Sequence, residues 1–542
     1  MKSLRFWILL IFLQISCRES DVAPKNGADG PPPEDVVFEP TIYKSSLDPP
    51  KDILLNATGY NPRNFIHDNP WTNTALDSKL QLGLVNSEAN VIRYPGGTFG
   101  NFWNYRAEKL FQKESTLDPA GWVDLDKVEN TRTHKDIENN NAKINSLDDL
   151  KFAAKGGTSG NPVNVVFVMN MVTPGADFYE WKWGRTVDDS AGSPDWYAML
   201  DNRYERFKEM LLLAKGGTDP IDLLFIELGN EYYFPHAYSL EAFPTGADFG
   251  LACNYIADKL MNDTALNLPN TISIAATASA VGGSGSRIQN WNSSLETTLD
   301  KSKVGYVTLH VYKAYEEPTY YSETTFQEKL VKWDQVVNQK FINSGAEDSF
   351  LSKDWQVWYT ETNANWDASV SESTPSSEFR WAQSLVDAYS VLHLYDRGNA
   401  AMVLQFQFNN QVIPGTDGLL YNRAKALIPF MKASKGATSA AQISFASTTM
   451  PKLPGSSNAV VQGYCFTDSE GEKKCVIINL SATVKHIDLD NVFTHVNSAT
   501  LNLEAYNNPL IAGTGTPDHY NLSFAKSQVK LRAYSVNYVY TE

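Results

Sequence analysis

The feature that most constrains this chain is an alternation. Eight short apolar runs recur between residues 51 and 430: "ILLNATGYN", "NVIRYPGG", "NVVFVMNM", "IDLLFIELGNE", "TISIAATAS", "GYVTLHVY", "WQVWYTET" and "AAMVLQFQF". Between them lie amphipathic stretches such as "NRYERFKEMLLLAK" and "TTFQEKLVKWDQVVNQKF". Runs that are apolar nearly throughout suit strands covered on both faces, as in parallel sheets whose crossovers are helices. Eight such units predict an α/β fold, a (β/α)₈ TIM barrel over residues 51–430. An open doubly wound sheet is the runner-up, weakened because no Gly-x-Gly-x-x-Gly follows the first strand.

From about residue 435 the pattern changes. "NAVVQGYCFTD", "KKCVIINLSA", "SATLNLEAYN" and "KLRAYSVNYVY" read as strands with no long helices between them. They predict a C-terminal antiparallel β-sandwich over residues 431–542. Residues 18–50 read as a tether rich in Pro and Gly ("GADGPPPED") and a leading strand, with residues 36–52 able to lend that strand to the sandwich.

The first residues, "MKSLRFWILLIFLQISC", place Lys2 and Arg5 before an apolar run from Phe6 to Leu13 and then Cys17. The run is too short to span a bilayer and has the form of a signal peptide. Ser16-Cys17 resembles a bacterial lipobox, although Gln14 stands where an aliphatic residue is usual. Lipidation at Cys17 is the favoured reading; plain secretion and an uncleaved anchor are the others. Membrane attachment is expected only through that lipid, at a bacterial cell surface or periplasm. Cys465 and Cys475 flank "FTDSEGEKK" almost symmetrically about Glu470-Gly471. A hairpin there would set them opposite each other as a cross-strand disulfide, with two reduced thiols as the alternative. Cys253 reads as a buried helix residue. No Cys/His cluster has metal-ligand spacing, so no metal or cofactor is expected. The net charge of −16 argues against a nucleic-acid partner, since nothing would neutralise phosphates.

In a parallel barrel the chemistry gathers where the strands end. The second run ends in Arg93-Tyr94-Pro95-Gly96-Gly97, the fourth in Asn230-Glu231, the sixth in His310-Val311-Tyr312 and the seventh in Tyr359-Thr360-Glu361-Thr362-Asn363. Two carboxylates at one mouth are what glycoside hydrolysis needs: one protonated to serve the leaving oxygen, the other ionised to attack. Arg93 beside Glu361 would keep that group ionised. Tyr312 has the reach to donate to the same carboxylate, and Asn230 to bind the sugar hydroxyl next to the reacting carbon. His310 fits either the site or the core. Glu227, of the same strand parity as Glu231, reads as a paired interior carboxylate. Burial against Tyr232 or Tyr233, with Glu361 nearby, is expected to raise the pKa of Glu231.

"ELGNE" on the fourth strand together with "YTETN" on the seventh resembles the clan A retaining glycoside hydrolases. The resemblance implies Glu231 as acid/base and Glu361 as nucleophile, acting on a carbohydrate through a glycosyl-enzyme. "FIELGNEYYF" and "WYTETNANW", with the closing strands, resemble family 79, the heparanase and β-glucuronidase group. "IRYPGGTFGNF" resembles family 51, the arabinofuranosidases. Sulfated heparan is disfavoured for so acidic a chain. Of Trp103, Trp122, Trp181, Trp183 and Trp366, some should stack on sugar rings; Trp366, expected on the loop after Glu361, is the best placed. A surface-tethered, non-catalytic glycan-binding protein would need the aromatics but not the acid pair, and the chain keeps both carboxylates. A metal-dependent hydrolase would need strand-end His pairs, which are missing.

The lipobox reading makes a direct prediction. Cys17→Ala should move the protein from the membrane to the soluble fraction on cell fractionation, and globomycin should block processing. Unchanged membrane association of the variant would remove the lipid anchor.

Overall fold

The computed structural model describes residues 41–61, 87–97, 100–101, 147–156, 162–172, 190–281, 286–315, 323–366, 377–406, 422–445, 450–501 and 527–541, with a few short pieces between them. All of these lie in one compact unit, Thr41–Glu542. Cys17, Trp181 and Trp183 lie outside the described residues, and so do the side chains of Trp103, Trp122 and Trp366.

Eight parallel strands close into a barrel in chain order: Thr58–Asn61, Val91–Tyr94, Asn164–Met169, Phe225–Leu228, Ser273–Thr277, Tyr306–Tyr315, Gln356–Trp366 and Ala400–Phe406. They are the eight apolar runs of the sequence. Alternate residues divide between two apolar clusters. Ile92, Val165, Phe167, Ile226, Leu228, Ile274 and Ala276 join the helices in the outer core. Val91, Val166, Phe225, Ala275, Trp358, Met402 and Leu404 fill the barrel. Phe225 and Tyr306 both meet the Trp358 ring, at centroid distances of 5.9 and 5.3 Å. This plug closes the barrel below the residues that follow at the strand ends.

The helices are set by local chemistry as much as by periodicity. Ser193 caps Pro194–Lys215 by accepting from the Trp196 N–H, and Pro194 occupies the first turn, where no donor is lost. Thr245 and Asp248 form a reciprocal capping box on Gly246–Asn262, the helix that buries Cys253.

The C-terminal region is one sheet running through Asn497–Leu501, Ser535–Tyr540, Lys473–Asn479, Val461–Asp468, Ala437–Phe445, Ile42–Leu47, Lys485–Asp488 and Gln528–Leu531. The leading strand does join it. Its pairing with Ala437–Phe445 is antiparallel, but that with Lys485–Asp488 is parallel. Only hairpin neighbours are obliged to run antiparallel, and this strand arrives from the other end of the chain. Cys465 and Cys475 stand opposite each other in register and are disulfide-bonded. The sheet is tied to the barrel's helices by polar contacts such as Trp381 Nε1 to the Tyr534 carbonyl, 2.8 Å.

The barrel seam between its first two strands has one paired position, Tyr60 with Ile92. Gly59 permits that approach: a Cβ on it would stand 1.9 Å from the Val91 carbonyl oxygen. Gly59→Ala should therefore force the strands apart and lower the unfolding free energy by about 3 kcal/mol, read from urea denaturation.

Candidate active site

Two residues above the apolar plug, Arg93 and Glu227 point into the barrel from its second and fourth strands. Both are completely buried. Arg93 grips Glu227 through Nε to Oε2 at 2.6 Å and Nη2 to Oε1 at 2.9 Å. Glu227 is thus the paired interior carboxylate expected. Its burial pushes the carboxyl group upward, but the charge and hydrogen bonds of Arg93, with His310 close by, outweigh this and hold it at about 2. The remaining Arg93 donors reach outward. Nη1 donates to Glu361 Oε1 at 2.7 Å and Nη2 to Asn230 Oδ1 at 2.9 Å.

Glu361 owes its direction to an irregularity. Along the sixth and seventh strands, Thr308 pairs with Trp358, but His310 pairs with Glu361. The seventh strand carries one extra residue there, a β-bulge. Strict alternation from the inward Trp358 would turn Glu361 outward. The bulge lets Thr360 and Glu361, successive residues, both face the interior. Besides Arg93, Glu361 Oε1 accepts from Asn61 Nδ2 at 3.2 Å, and Oε2 accepts from the Tyr312 hydroxyl. Burial and the Glu361 charge push the Tyr312 hydroxyl well above its ordinary pKa, so it stays a donor.

The fourth strand stops at Leu228, before the acid/base candidate. Gly229 and Glu231 have φ of 78° and 53°. A side chain at Gly229 would meet the Tyr232 ring at 2.3 Å, so only glycine fits that turn. Glu231 itself takes the left-handed conformation that non-glycine residues rarely adopt, a departure that gathers at functional sites. Its Oε1 lies 2.9 Å from His310 Nδ1 and accepts from the Tyr233 hydroxyl at 3.0 Å.

The protonation of Glu231 corrects the sequence expectation. Burial does push it upward, but the hydrogen bond and charge of His310 outweigh burial and take it below its ordinary value. For His310 the forces run the other way. Burial lowers it, yet Glu361, Glu227 and Glu231 together raise it to about 9. Both directions favour the exchangeable proton of the pair on the imidazole. Tyr232, offered as one of the burying residues, serves the fold instead: its hydroxyl accepts from the Met171 N–H.

Atoms of Glu231, His310 and Glu361 lie within 4.8 Å of one another. Such a trio has the composition of a metal site. Here, however, Arg93, Asn61 and Tyr312 occupy both Glu361 oxygens, and His310 Nδ1 is engaged with Glu231. The Glu361 oxygens and His310 Nδ1 are thus already engaged by neighbouring side chains.

The structure therefore brings Arg93, Asn230, Glu231, His310, Tyr312 and Glu361 to one mouth. Trp366 departs from expectation in its backbone, which ends the seventh strand paired with Tyr315 instead of forming a loop. Sequence reasoning missed Asn61, Thr360 and the donor role of Tyr233. Asn61 closes the first apolar run, "ILLNATGYN", so reading that strand's last residue would have found it.

No protein-family model matches the chain, and no curated protein matches it in sequence. Solved structures match it in fold. AbfB, a family 51 α-L-arabinofuranosidase from Bifidobacterium longum, is 15% identical with a TM-score of 0.54, over 93% of this chain and 99% of its own. The family 51 arabinofuranosidase of Xanthomonas axonopodis pv. citri is 13% identical with a TM-score of 0.55, over 92% and 99%. The catalytic domain of the family 30 xylanase C of Talaromyces cellulolyticus is 12% identical with a TM-score of 0.50, over 92% and 100%. All are clan A glycoside hydrolases, and the fold is the one they share. Family 51 is one of the two families that the motifs resemble.

The raised His310 makes stability depend on pH. The unfolded chain titrates near 6.5 and the folded site near 9. The contribution is fully present below pH 6.5 and is lost as pH rises through 9. Unfolding free energy should fall by about 3 kcal/mol across that window, and His310→Gln should flatten the decline. Denaturant midpoints measured at half-unit pH steps check both.

Proposed function

We propose that the chain is a retaining glycoside hydrolase that cleaves O-glycosidic bonds of an oligosaccharide or polysaccharide. The observation that carries this reading is the pairing of two carboxyl groups within 4.8 Å, each in a different proton environment. Retaining chemistry needs carboxyl groups about 5–5.5 Å apart, too close for a water to attack between them. Glu361 meets an arginine, an amide and a tyrosine, all donors that hold it aimed. Glu231 meets an imidazole with which it exchanges a proton.

In this reading Glu361 attacks the anomeric carbon, the bond to the leaving oxygen breaks, and Glu231 gives that oxygen its proton. Glu231 then takes a proton from water as the water displaces Glu361 and releases the sugar. Asn230 prepares the sugar. Its Oδ1 is held by Arg93, which fixes the amide's orientation and leaves Nδ2 buried without a partner among the described residues. That N–H is a donor in search of a hydroxyl beside the reacting carbon. No metal or cofactor enters any of these steps.

The resemblance in fold to family 51 enzymes makes α-L-arabinofuranosides the first substrates to test, with β-glucuronides next. Display on a bacterial envelope through Cys17 belongs to the same proposal and suits an enzyme of external glycans.

The two carboxyl groups should respond differently to removal. Glu361→Ala should lower kcat by about 10⁴-fold or more on every substrate, with azide restoring turnover to an inverted product. Glu231→Ala should lose about 10²–10⁴-fold on poor leaving groups and far less on activated aryl glycosides, with azide giving a retained product. Chiral analysis of the released sugar decides; an inverted product from the wild type would overturn the assignment.

A further inference from the structure

The mechanism above gives no task to one fully buried hydroxyl, that of Thr360. Its Oγ1 lies 3.1 Å from Glu227 Oε1 and 3.1 Å from His310 Nε2. A hydroxyl has one proton to give. Glu227, clamped by two Arg93 N–H groups, is ionised and can only accept, so the Thr360 proton goes to Glu227. Oγ1 must then accept from the other side, and Nε2 must carry a hydrogen. Nε2 itself lies 3.8 Å from Glu227, too far for a direct hydrogen bond. The threonine fills that gap.

This arrangement decides which ring nitrogen exchanges. The groups facing His310 are Glu227 and Thr360 at Nε2, and Glu231 at 2.9 Å and Glu361 at 3.6 Å from Nδ1. Tyr233 and Tyr312 donate to those two carboxylates, and Arg93 lies behind Glu227 and Glu361. We propose that Thr360 is a positioning residue for the acid/base: anchored on Glu227, it holds His310 with a hydrogen on Nε2, so that Nδ1 is the nitrogen that exchanges a proton with Glu231. The inference rests on the reading of Glu231 as acid/base.

The exchange balances simply. The Nδ1–H bond breaks and leaves its electron pair on Nδ1, while an O–H bond forms on the Glu231 carboxylate. The imidazolium becomes a neutral ring that still carries its Nε2 hydrogen, and Glu231 becomes the neutral acid that protonates the leaving oxygen. The opposite tautomer would defeat this. A neutral ring with hydrogen on Nδ1 would donate permanently to Glu231 and hold it as a carboxylate, with no proton to give.

Thr360→Val removes the hydroxyl at nearly constant shape, and Thr360→Ser keeps it. Protein labelled with ¹⁵N-histidine, with the His310 signals identified by their loss in His310→Gln, reports the tautomer directly. Above the pH at which His310 loses its charge, wild type and Thr360→Ser should show hydrogen on Nε2 and a bare Nδ1. Thr360→Val should gain the Nδ1-protonated form. In parallel, the alkaline limb of kcat/KM should move down by about one pH unit in Thr360→Val. Its kcat on a poor leaving group should drop about 10- to 100-fold, while Thr360→Ser follows the wild type. A neutral wild-type His310 bearing its hydrogen on Nδ1 would overturn the proposal, as would a Thr360→Val variant with unchanged histidine signals and an unshifted limb. If the tautomers are as expected but no glycoside is cleaved, the hydrolase reading fails while the placement of the proton stands.

Discussion

The site hangs on the ion pair between Arg93 and Glu227. Both side chains are wholly removed from water. Burying two charges is tolerable only when geometry is good and the remaining donors are satisfied, and losing either partner strands the other charge. Arginine meets that condition where lysine could not. Its planar fork presents two N–H groups to Glu227 and keeps others for Glu361 and Asn230. Glu227 in turn receives Thr360, which reaches His310. From one buried pair the orientation of both catalytic candidates follows.

The same pair sets the charge balance. Glu227, Glu231 and Glu361 face Arg93 and a single exchangeable proton on His310. The negative excess raises the imidazole despite its burial. What then separates the two outer carboxylates is the kind of donor each meets. Arg93, Asn61 and Tyr312 do not surrender protons near neutrality, so Glu361 meets only fixed donors. An imidazole does, so Glu231 faces a donor able to hand it a proton, which is what the proposed acid/base role requires. Two chemically identical groups are given different proton environments by their neighbours.

Much of this was readable from the strand ends. A parallel barrel directs its last residues to one mouth, so Arg93, Asn230, Glu231, His310 and Tyr312 follow from knowing where apolar runs stop. Asn61 obeys the same rule and was overlooked at the end of a short first strand. Glu361 stands at a strand end too, but its inward direction was not readable, because a β-bulge has no signature in an apolar pattern. Trp366 shows the converse error. The seventh strand continues in pairing beyond its apolar segment, where periodicity suggests a loop.

The sequence by itself determined the architecture, because eight doubly covered apolar runs with helical crossovers can bury both faces in few other ways. It also determined which chemical groups reach the mouth, since strand-end position is a property of the chain. Only the tertiary structure decided how those groups behave. The extra residue that turns Glu361 inward depends on the register between two strands far apart in sequence. The resting place of the proton depends on four side chains brought from separate strands and loops into one dry volume. Charge interactions at such distances are fixed by packing, and no local pattern along the chain encodes them.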